Sequence, residues 1–337
     1  MFKKSNLKIG LDLGSAYIKA VKIEHSNNHH LIKDFAIAKI HSSNAISSLT
    51  KDILNRIKAQ NISLNISLSG QNIVCRYVNL PLLEEEEFKN ALKFEIVKYV
   101  PFSIDDIFFD GCILRKDLQQ NKMLVVMVAV KKEYLLQRIN LIKDINYEVN
   151  LVGVDSLALV DCFNFNLSKR SNLPTNKSIA ILNIGNSFSN LNILEGNIPV
   201  LSRDIRIAGS EITSRISTDL VCDLETAERI KLQAGLDEEQ LQKIKPSLEN
   251  VLSLLAQELR ISFDYYESQG IASVEKLYLC GGQLLIKIIA DILSHYLGIE
   301  ISLFDPLEEF EFYNDLNIEE IKKYSLQMAV VLGLALR

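Results

Sequence analysis

The chain has 337 residues, of which 48% are hydrophobic and 23% charged, and its formal net charge is -5. This composition predicts about two globular domains with a large buried core and excludes a disordered protein. The negative charge excludes the basic surface on which nucleic-acid binding depends. Five scattered cysteines predict reduced thiols in a cytoplasmic protein. No apolar run reaches the ~20 residues that span a bilayer, so we expect no direct membrane insertion.

The part of the chain before Pro81 has the pattern of an α/β unit. Three strands are predicted in LKIGLDLG, AYIKAVKIEH and HLIKDFAIAKI, separated by Gly14-Ser15 and by the polar run SNNHH. A helix is predicted over 48–60, where apolar residues recur at helical spacing, and LNISLSG is a further strand. The unit therefore opens on a meander of three strands.

A compact insert is predicted over about 82–150. The stretch LLEEEEFKNALKFEIVKYV carries an apolar stripe at helical spacing and stops before Pro101. Strands near 108–114 and 123–130 follow, and then the helix KEYLLQRINLIKDI. Two helices and several strands are enough for a small α/β subdomain.

The second half of the chain begins near Lys177, after the polar stretch SKRSNLPTNK. SIAILNIGNSFSNLNILEGNIPVLSRDIRI again has the order strand, glycine turn, strand, turn, strand. Helices are predicted in SEITSRISTDL, in LETAERIKLQAG and in a long segment that begins at Ser247. A strand, the turn Gly281-Gly282 and a helix follow, and YSLQMAVVLGLALR forms the last helix.

The two halves repeat one motif. When GLDLGS is aligned with ILNIGN, Gly14 matches Gly185 and Asp12 matches Asn183. A turn without a Cβ atom allows backbone N–H groups to approach phosphate oxygens closely. The repeat therefore indicates a phosphate site with two walls, one of which has lost its carboxylate.

This duplicated motif, the late strand-Gly-Gly-helix segment and the closing helix resemble the actin-like ATPase fold. Within it, GLDLGSAYIKAVKI, LPLLEEEEFKNALKFEIVKYVPFSIDDIFFD, NIGNSFSNLNILEGNIPVLSRDIRIAGSEIT, ETAERIK, LAQELRISFDYYE and YLCGGQ are similar to the PilM family of type IV pilus assembly proteins. The resemblance implies an α/β fold of two duplicated halves with an insert of the FtsA and PilM type, the 1C subdomain. The predicted division is 1–165 with 325–337 for the first half and 177–324 for the second, which contains a helical 2B region over about 209–268.

The resemblance also implies a function. Members of this family bind ATP between their halves and hold the cytoplasmic N-terminal tail of the inner-membrane protein PilN in a groove between the insert and the first half. They form a ring or platform with other pilus assembly components, which allows a homo-oligomer, and they are cytoplasmic proteins held at the inner membrane by that partner. We therefore expect ATP and Mg²⁺ as ligands, a PilN-like partner, and weak or absent hydrolysis.

The resemblance assigns the first wall of the ATP site. Asp12, Gly14 and Ser15 match its phosphate turn, and Asp12 is expected to hold a hydrated Mg²⁺; the alternative is a solvated hairpin turn. Lys19 on the outgoing strand could pair with phosphate or be a solvated strand residue. Asp155 falls where such ATPases place a carboxylate that orients water, which makes it the candidate catalytic residue, but it could equally be a helix N-cap.

The second wall and the nucleoside side follow from the same resemblance. They comprise Asn183, Gly185, Ser187, Ser189, Glu228, Lys231, Gly281 and Gly282. Asn183 stands where relatives usually have Asp, so it keeps an acceptor and loses the charge that would hold Mg²⁺ and polarise water. For the charged pair the alternative is ordinary surface charge, and for the two glycines it is a tight strand-helix turn.

Two other functions stay open on the sequence. An active ATPase or sugar kinase could use the same core, although no substrate-binding insertion is visible. An FtsA-like division protein would bind the membrane through a C-terminal amphipathic helix, and LGLALR is expected to lie inside the core fold instead.

Overall fold

A computed structural model describes residues 7–26, 29–117, 120–168, 178–269 and 273–337; the predicted linker around 169–177 lies outside them. The described strands are β1 (Leu7–Leu13), β2 (Tyr17–Ser26), β3 (His29–Lys39), β4 (Leu64–Leu68), β5 (Ile73–Pro81), β6 (Ile107–Asp117), β7 (Lys122–Lys131), β8 (Val149–Val154), β9 (Ser178–Ile184), β10 (Ser189–Glu195), β11 (Ile198–Ile205), β12 (Val274–Cys280), β13 (Glu300–Leu303) and β14 (Glu311–Phe312). The described α-helices are α1 (Ile46–Arg56), α2 (Glu85–Ile96), α3 (Lys132–Asp144), α4 (Asp155–Ser168), α5 (Gly209–Asp219), α6 (Leu224–Ala234), α7 (Glu238–Ser268), α8 (Ile288–Leu297), α9 (Ile318–Lys322) and α10 (Ala329–Leu336).

The sheet of the first half has the order β14-β3-β2-β1-β4-β8. β1 and β2 form an antiparallel hairpin, whereas β4 is parallel to both β1 and β8. The carboxyl ends of these parallel strands therefore meet at one edge of the sheet, and the residues that follow them share that edge. Gly14, Ser69 and Asp155 come from the ends of β1, β4 and β8.

The sheet of the second half, β11-β10-β9-β12-β13, repeats this arrangement. β9 and β10 are antiparallel, and β9, β12 and β13 are parallel neighbours. The alignment that matches Gly14 with Gly185 also places the whole of β1 on 178–184, which are the bounds of β9. The predicted α/β fold of two duplicated halves is therefore confirmed.

The insert is built on the three-stranded antiparallel sheet β5-β7-β6. One face of this sheet packs on α2 through a core of Phe88, Leu92, Ile96, Met123, Val125 and Met127. This sheet begins at Ile73, upstream of the predicted start at 82; the boundaries of the domains stay a prediction.

α4 and α10 lie between the two halves and contact both sheets. Their apolar residues share one core with Ile179, Ile181 and Cys280 of the second sheet. At their crossing, a Cβ atom on Gly333 would lie 1.8 Å from the carbonyl oxygen of Ala158, so the two helices touch through their backbones.

Candidate functional site

A cleft of about 300 Å³ lies between the halves, at the carboxyl edge of both sheets. Its walls are formed by the turns after β1 and β9, by the ends of β4 and β8, and by residues of α3, α6 and the Gly281-Gly282 turn. Among the predicted residues, Asp12, Gly14, Ser15, Lys19, Asp155, Asn183, Gly185, Ser187, Glu228 and Gly282 line this cleft. The fold thus brings together residues that are far apart in the sequence.

The two glycine turns are equivalent in geometry. A Cβ atom on Gly14 would lie 2.8 Å from the carbonyl oxygen of Tyr17, and one on Gly185 would lie 2.7 Å from that of Phe188, which is the matching position of the repeat. Both turns therefore require glycine. They also meet across the cleft, since the amide of Asn186 donates to the hydroxyl of Ser15 at 3.5 Å.

Asp12 and Lys19 form a buried ion pair on the first wall. Lys19 is only 9% exposed, which excludes a solvated strand residue. A buried carboxylate and a buried ammonium require each other, because an unpaired charge loses its hydration without compensation. Both residues of the pair line the cleft.

Asp155 is the first residue of α4 and lies close to Asp12 in the cleft. Burial, together with the negative charge of Asp12, raises the pKa of Asp155 to about 6, although the hydroxyl groups of Ser67 and Ser69 act in the opposite direction. The Ser67 hydroxyl oxygen is buried and, apart from its effect on Asp155, has no hydrogen-bond partner in the described part of the chain.

The second wall is less charged. Asn183, Gly185 and Ser187 line the cleft, whereas Ser189 does not, because its buried hydroxyl donates to the carbonyl of Ile207 at 2.6 Å. Asp204, at the end of β11, supplies a carboxylate on this side of the cleft.

Asp204 is a cleft residue that the sequence pattern does not single out. It accepts hydrogen bonds from the Asn190 amide at 2.6 Å and from the Gly70 backbone N–H at 3.2 Å. The second bond crosses from one half to the other. No motif marks this residue, since its place in the cleft follows from the pairing of β11 with β10.

Glu228 and Lys231 have different positions on α6. Glu228 lines the cleft, whereas Lys231 is 1% exposed and lies behind it. The Lys231 ammonium is 2.7 Å from Glu228 and donates to the Thr213 hydroxyl at 2.8 Å and to the Gly209 carbonyl at 3.1 Å. Burial lowers the pKa of Lys231, and the carboxylate of Glu228 partly offsets this. Lys231 therefore orients Glu228, and neither residue is an ordinary surface charge.

The Gly281-Gly282 turn forms another part of the wall. Gly281 has φ +113°, and a Cβ atom there would lie 2.4 Å from the Ile184 carbonyl oxygen, so Gly281 is needed for the turn itself. Gly282 lines the cleft, and a Cβ atom on it would meet only Gln327, at 3.6 Å. A larger side chain at Gly282 would therefore enter the cleft without a backbone clash.

Two further residues in the cleft come from α3. Tyr134 and Arg138 line it from the first half. No sequence signal marks them, because a single Tyr and Arg on an amphipathic helix are typical of a solvated face.

A hydrated magnesium ion fits the donors that are present. In the described ranges, no group of three or more His, Cys, Asp or Glu side chains could hold a metal ion by itself. Mg²⁺ usually keeps several waters and binds through one or two carboxylates and the phosphates of a substrate. Asp12, with Asp155 beside it, meets that requirement.

A larger groove, of about 1530 Å³, borders the insert. The face of the insert sheet that is turned away from α2 forms one side, and β11 and α7 of the second half form much of the other. The hydroxyl oxygen of Tyr77 is buried here, and apart from an interaction with the weak thiol of Cys75 it has no hydrogen-bond partner in the described residues. Burial raises the pKa of Tyr77, and the Cys75 thiol and Asp161 of the first half raise it further.

Comparison with known proteins identifies the family. The family model for the type IV pilus assembly protein PilM matches residues 10–337. A PilM-PilN type IV pilus biogenesis complex is similar at 23% identity and a TM-score of 0.86, with 98% of each chain covered. The ethanolamine utilization protein EutJ from Carboxydothermus hydrogenoformans is similar at 11% identity and a TM-score of 0.57, covering 99% of this chain and 90% of the other.

These structural likenesses show the fold, and the actin-like arrangement expected from the duplicated motif is confirmed. In the part of the chain that is described, no helix has both the length and the apolar character needed to cross a membrane. Since the family model covers nearly all of the sequence, the chain belongs to the PilM family of type IV pilus assembly proteins.

Proposed function

We propose that the protein is a nucleotide-binding scaffold of a type IV pilus or related secretion machine, which binds ATP between its halves. The observation that carries this proposal is the contact of two equivalent glycine turns across one cleft, with Ser15 and Asn186 at their tips. Both turns line the same cleft, and glycine turns of this kind are suited to phosphate oxygens. Gly282 leaves room on the wall for the adenosine.

Magnesium is expected to accompany ATP. Among the described residues, the cleft is lined by four carboxylates (Asp12, Asp155, Asp204 and Glu228) but only two cations, Lys19 and Arg138. This excess of negative charge would repel a bare triphosphate, and Mg²⁺ supplies the missing positive charge when it is bound. Asp12 would hold its waters, and Lys19 would turn from Asp12 toward a phosphate.

The test of nucleotide binding is Gly282→Val. The added side chain should fill the space on the wall and abolish ATP binding, as measured by titration calorimetry with Mg²⁺, while the melting temperature without nucleotide stays close to that of the wild type. Gly282→Ala, which meets only Gln327 at 3.6 Å, serves as the graded control and should weaken binding less. If the wild type itself binds no ATP, the proposal is wrong.

We infer that the partner is the cytoplasmic N-terminal tail of a PilN-like inner-membrane protein, held against the insert. The buried Tyr77 hydroxyl, which has only the weak Cys75 thiol as a hydrogen-bond partner among the described residues, supports a ligand here, because a buried polar group that is not satisfied costs about 1–3 kcal/mol. An extended peptide would offer it a backbone group, and Asp161 and Arg337 of the first half stand close by, where their charges act on the Cys112 thiol of β6. Through this partner the protein would be held at the cytoplasmic face of the inner membrane.

The test of this site uses a synthetic peptide with the N-terminal sequence of the PilN-like protein from the same genome. Tyr77→Phe should lower peptide affinity about fivefold or more, since one buried hydrogen bond is lost, and should leave the unliganded protein at least as stable. Tyr313→Phe removes a hydroxyl from a residue that is 40% exposed and should change nothing. Undiminished binding to Tyr77→Phe would show that the peptide does not bind this face of the insert. Tyr265→Ala would then test whether it binds the side of the groove formed by the second half.

A further inference from the structure

α3 brings an arginine to the cleft that the proposed ATP site does not yet use. The Tyr134 hydroxyl donates to the carbonyl of Ser69 at 3.2 Å, and the guanidinium carbon of Arg138 lies 5.4 Å from the centre of the Tyr134 ring. Arg138 is half-buried. The ring therefore lies beside the guanidinium, and both residues line the cleft.

Arg138 is distinguished from Lys19 by its lack of a carboxylate partner. Lys19 is neutralised by Asp12, whereas Arg138 forms no ion pair with any described residue. Three of the four carboxylates that line the cleft already have partners, since Asp12 pairs with Lys19, Glu228 with Lys231 and Asp204 with the Asn190 amide. The donors of the Arg138 guanidinium are therefore available for another anion.

The position of Arg138 indicates which part of a nucleotide it would meet. Ser69 contacts Tyr134 through its carbonyl and acts on Asp155 through its hydroxyl, so Tyr134, Ser69 and Asp155 form one continuous corner of the cleft. This corner lies at the ends of β4 and β8, whereas Gly282 belongs to the turn after β12. With the adenosine at Gly282 and the two glycine turns around the middle phosphates, the last phosphate is directed to the Asp155 corner.

We propose that Arg138 binds the terminal phosphate of ATP, so that the site distinguishes ATP from ADP. The proposal rests on the proposed function, since it needs a nucleotide in this cleft. A guanidinium donates two parallel N–H bonds to a phosphate, and ADP has no group at that place. The preference for ATP is then a property of α3.

The test compares dissociation constants for Mg-ATP and Mg-ADP in four full-length proteins. Arg138→Gln should weaken ATP about tenfold, as expected for loss of a charge-assisted contact, and change ADP less than about twofold. Arg138→Lys keeps the positive charge but lacks the two parallel N–H donors of the guanidinium, so it should recover part of the ATP affinity. Lys143→Gln removes one positive charge from an exposed position of the same helix and should leave both constants unchanged.

The outcomes separate this proposal from the one on which it rests. If the wild type binds neither nucleotide, the proposed function fails and this inference fails with it. If the wild type binds both and Arg138→Gln weakens them equally, or weakens neither, nucleotide binding stands and the terminal-phosphate contact is wrong. A fall in both affinities for Lys143→Gln would show that the net charge, and not Arg138, decides the binding.

Discussion

At the scale of single residues, the molecule is most informative where its two halves differ. Asp12 on the first wall corresponds to Asn183 on the second, and both line the cleft. Asp204 lines the same cleft but is engaged by the Gly70 N–H and the Asn190 amide. A carboxylate held by two donors is a weaker ligand for a hydrated metal ion than a free one, so Asp204 replaces only part of the charge that Asn183 lacks.

Asn183→Asp should therefore change how the protein uses Mg²⁺. An added negative charge beside the phosphates should lower the Mg²⁺ concentration needed for ATP binding by roughly tenfold at most, and it should raise the slow ATP turnover that we expect of the wild type. Titration calorimetry at several Mg²⁺ concentrations and a phosphate-release assay measure the two effects. Asn197→Asp, the same change in an exposed turn, is the matched control.

Asp155 decides whether any turnover comes from this cleft. In the Asn183→Asp background, Asp155→Asn should remove the added turnover, because Asp155 is the remaining carboxylate that could orient water at that corner. Robust turnover by the unmodified protein, lost in Asp155→Asn, would contradict the scaffold function and show that Asn183 is no obstacle.

Individual site residues differed in how far the sequence could predict them. Gly14 and Gly185 follow from an internal repeat, which is a local signal, and their geometry in the fold explains why glycine is required. Arg138 and Asp204 could not be found in this way, since each reaches the cleft only through strand pairing and helix packing. Ser189 has the spacing of a site residue, yet β10 turns it toward Ile207.

At the scale of elements, α7 shows how packing overrides a local signal. The sequence predicts a helix from Ser247, just after Pro246, whereas the helix begins at Glu238 and continues through the proline. Asp237 caps its start by accepting the Glu239 N–H at 2.9 Å. A proline inside a helix costs about 3 kcal/mol, and the burial of Ile244 and Leu248 on either side offsets this.

The crossing of α4 and α10 is the element contact most sensitive to a small change. Gly333→Ala would place a Cβ atom 1.8 Å from the Ala158 carbonyl oxygen, so the two helices must separate. We expect the free energy of unfolding to fall by about 3 kcal/mol, as in other overpacked cores. Urea denaturation measures this loss, and Gly282→Ala is the control of the same chemistry, expected within about 0.5 kcal/mol of the wild type. A loss of similar size in both variants would show that the helix contact is not what limits stability.

At the scale of the whole molecule, the cleft and the insert are connected through the first half. α3 carries Arg138 into the cleft and begins directly after β7, the central strand of the insert sheet. Its first residue, Lys132, donates to the Asp105 carbonyl at 2.6 Å, which ties the helix to the insert a second time. A nucleotide that moves α3 would therefore also move the insert sheet. Tyr77 lies on the face of that sheet that is turned away from α2.

ATP and the partner peptide should consequently affect each other's binding. A ligand shifts a conformational equilibrium only by its differential affinity, and this requires no hydrolysis. We expect Mg-ATP to tighten the peptide about fivefold or more, and by linkage the peptide must tighten ATP by the same factor. Calorimetric titrations of each ligand in the presence and absence of the other measure both factors.

Gly282→Val should bind the peptide with the affinity of the nucleotide-free wild type and show no response to ATP, because its cleft is filled while the insert is untouched. Equal peptide affinities with and without Mg-ATP in the wild type, at saturating nucleotide, would mean that the two sites act independently and that the nucleotide serves only to stabilise the fold.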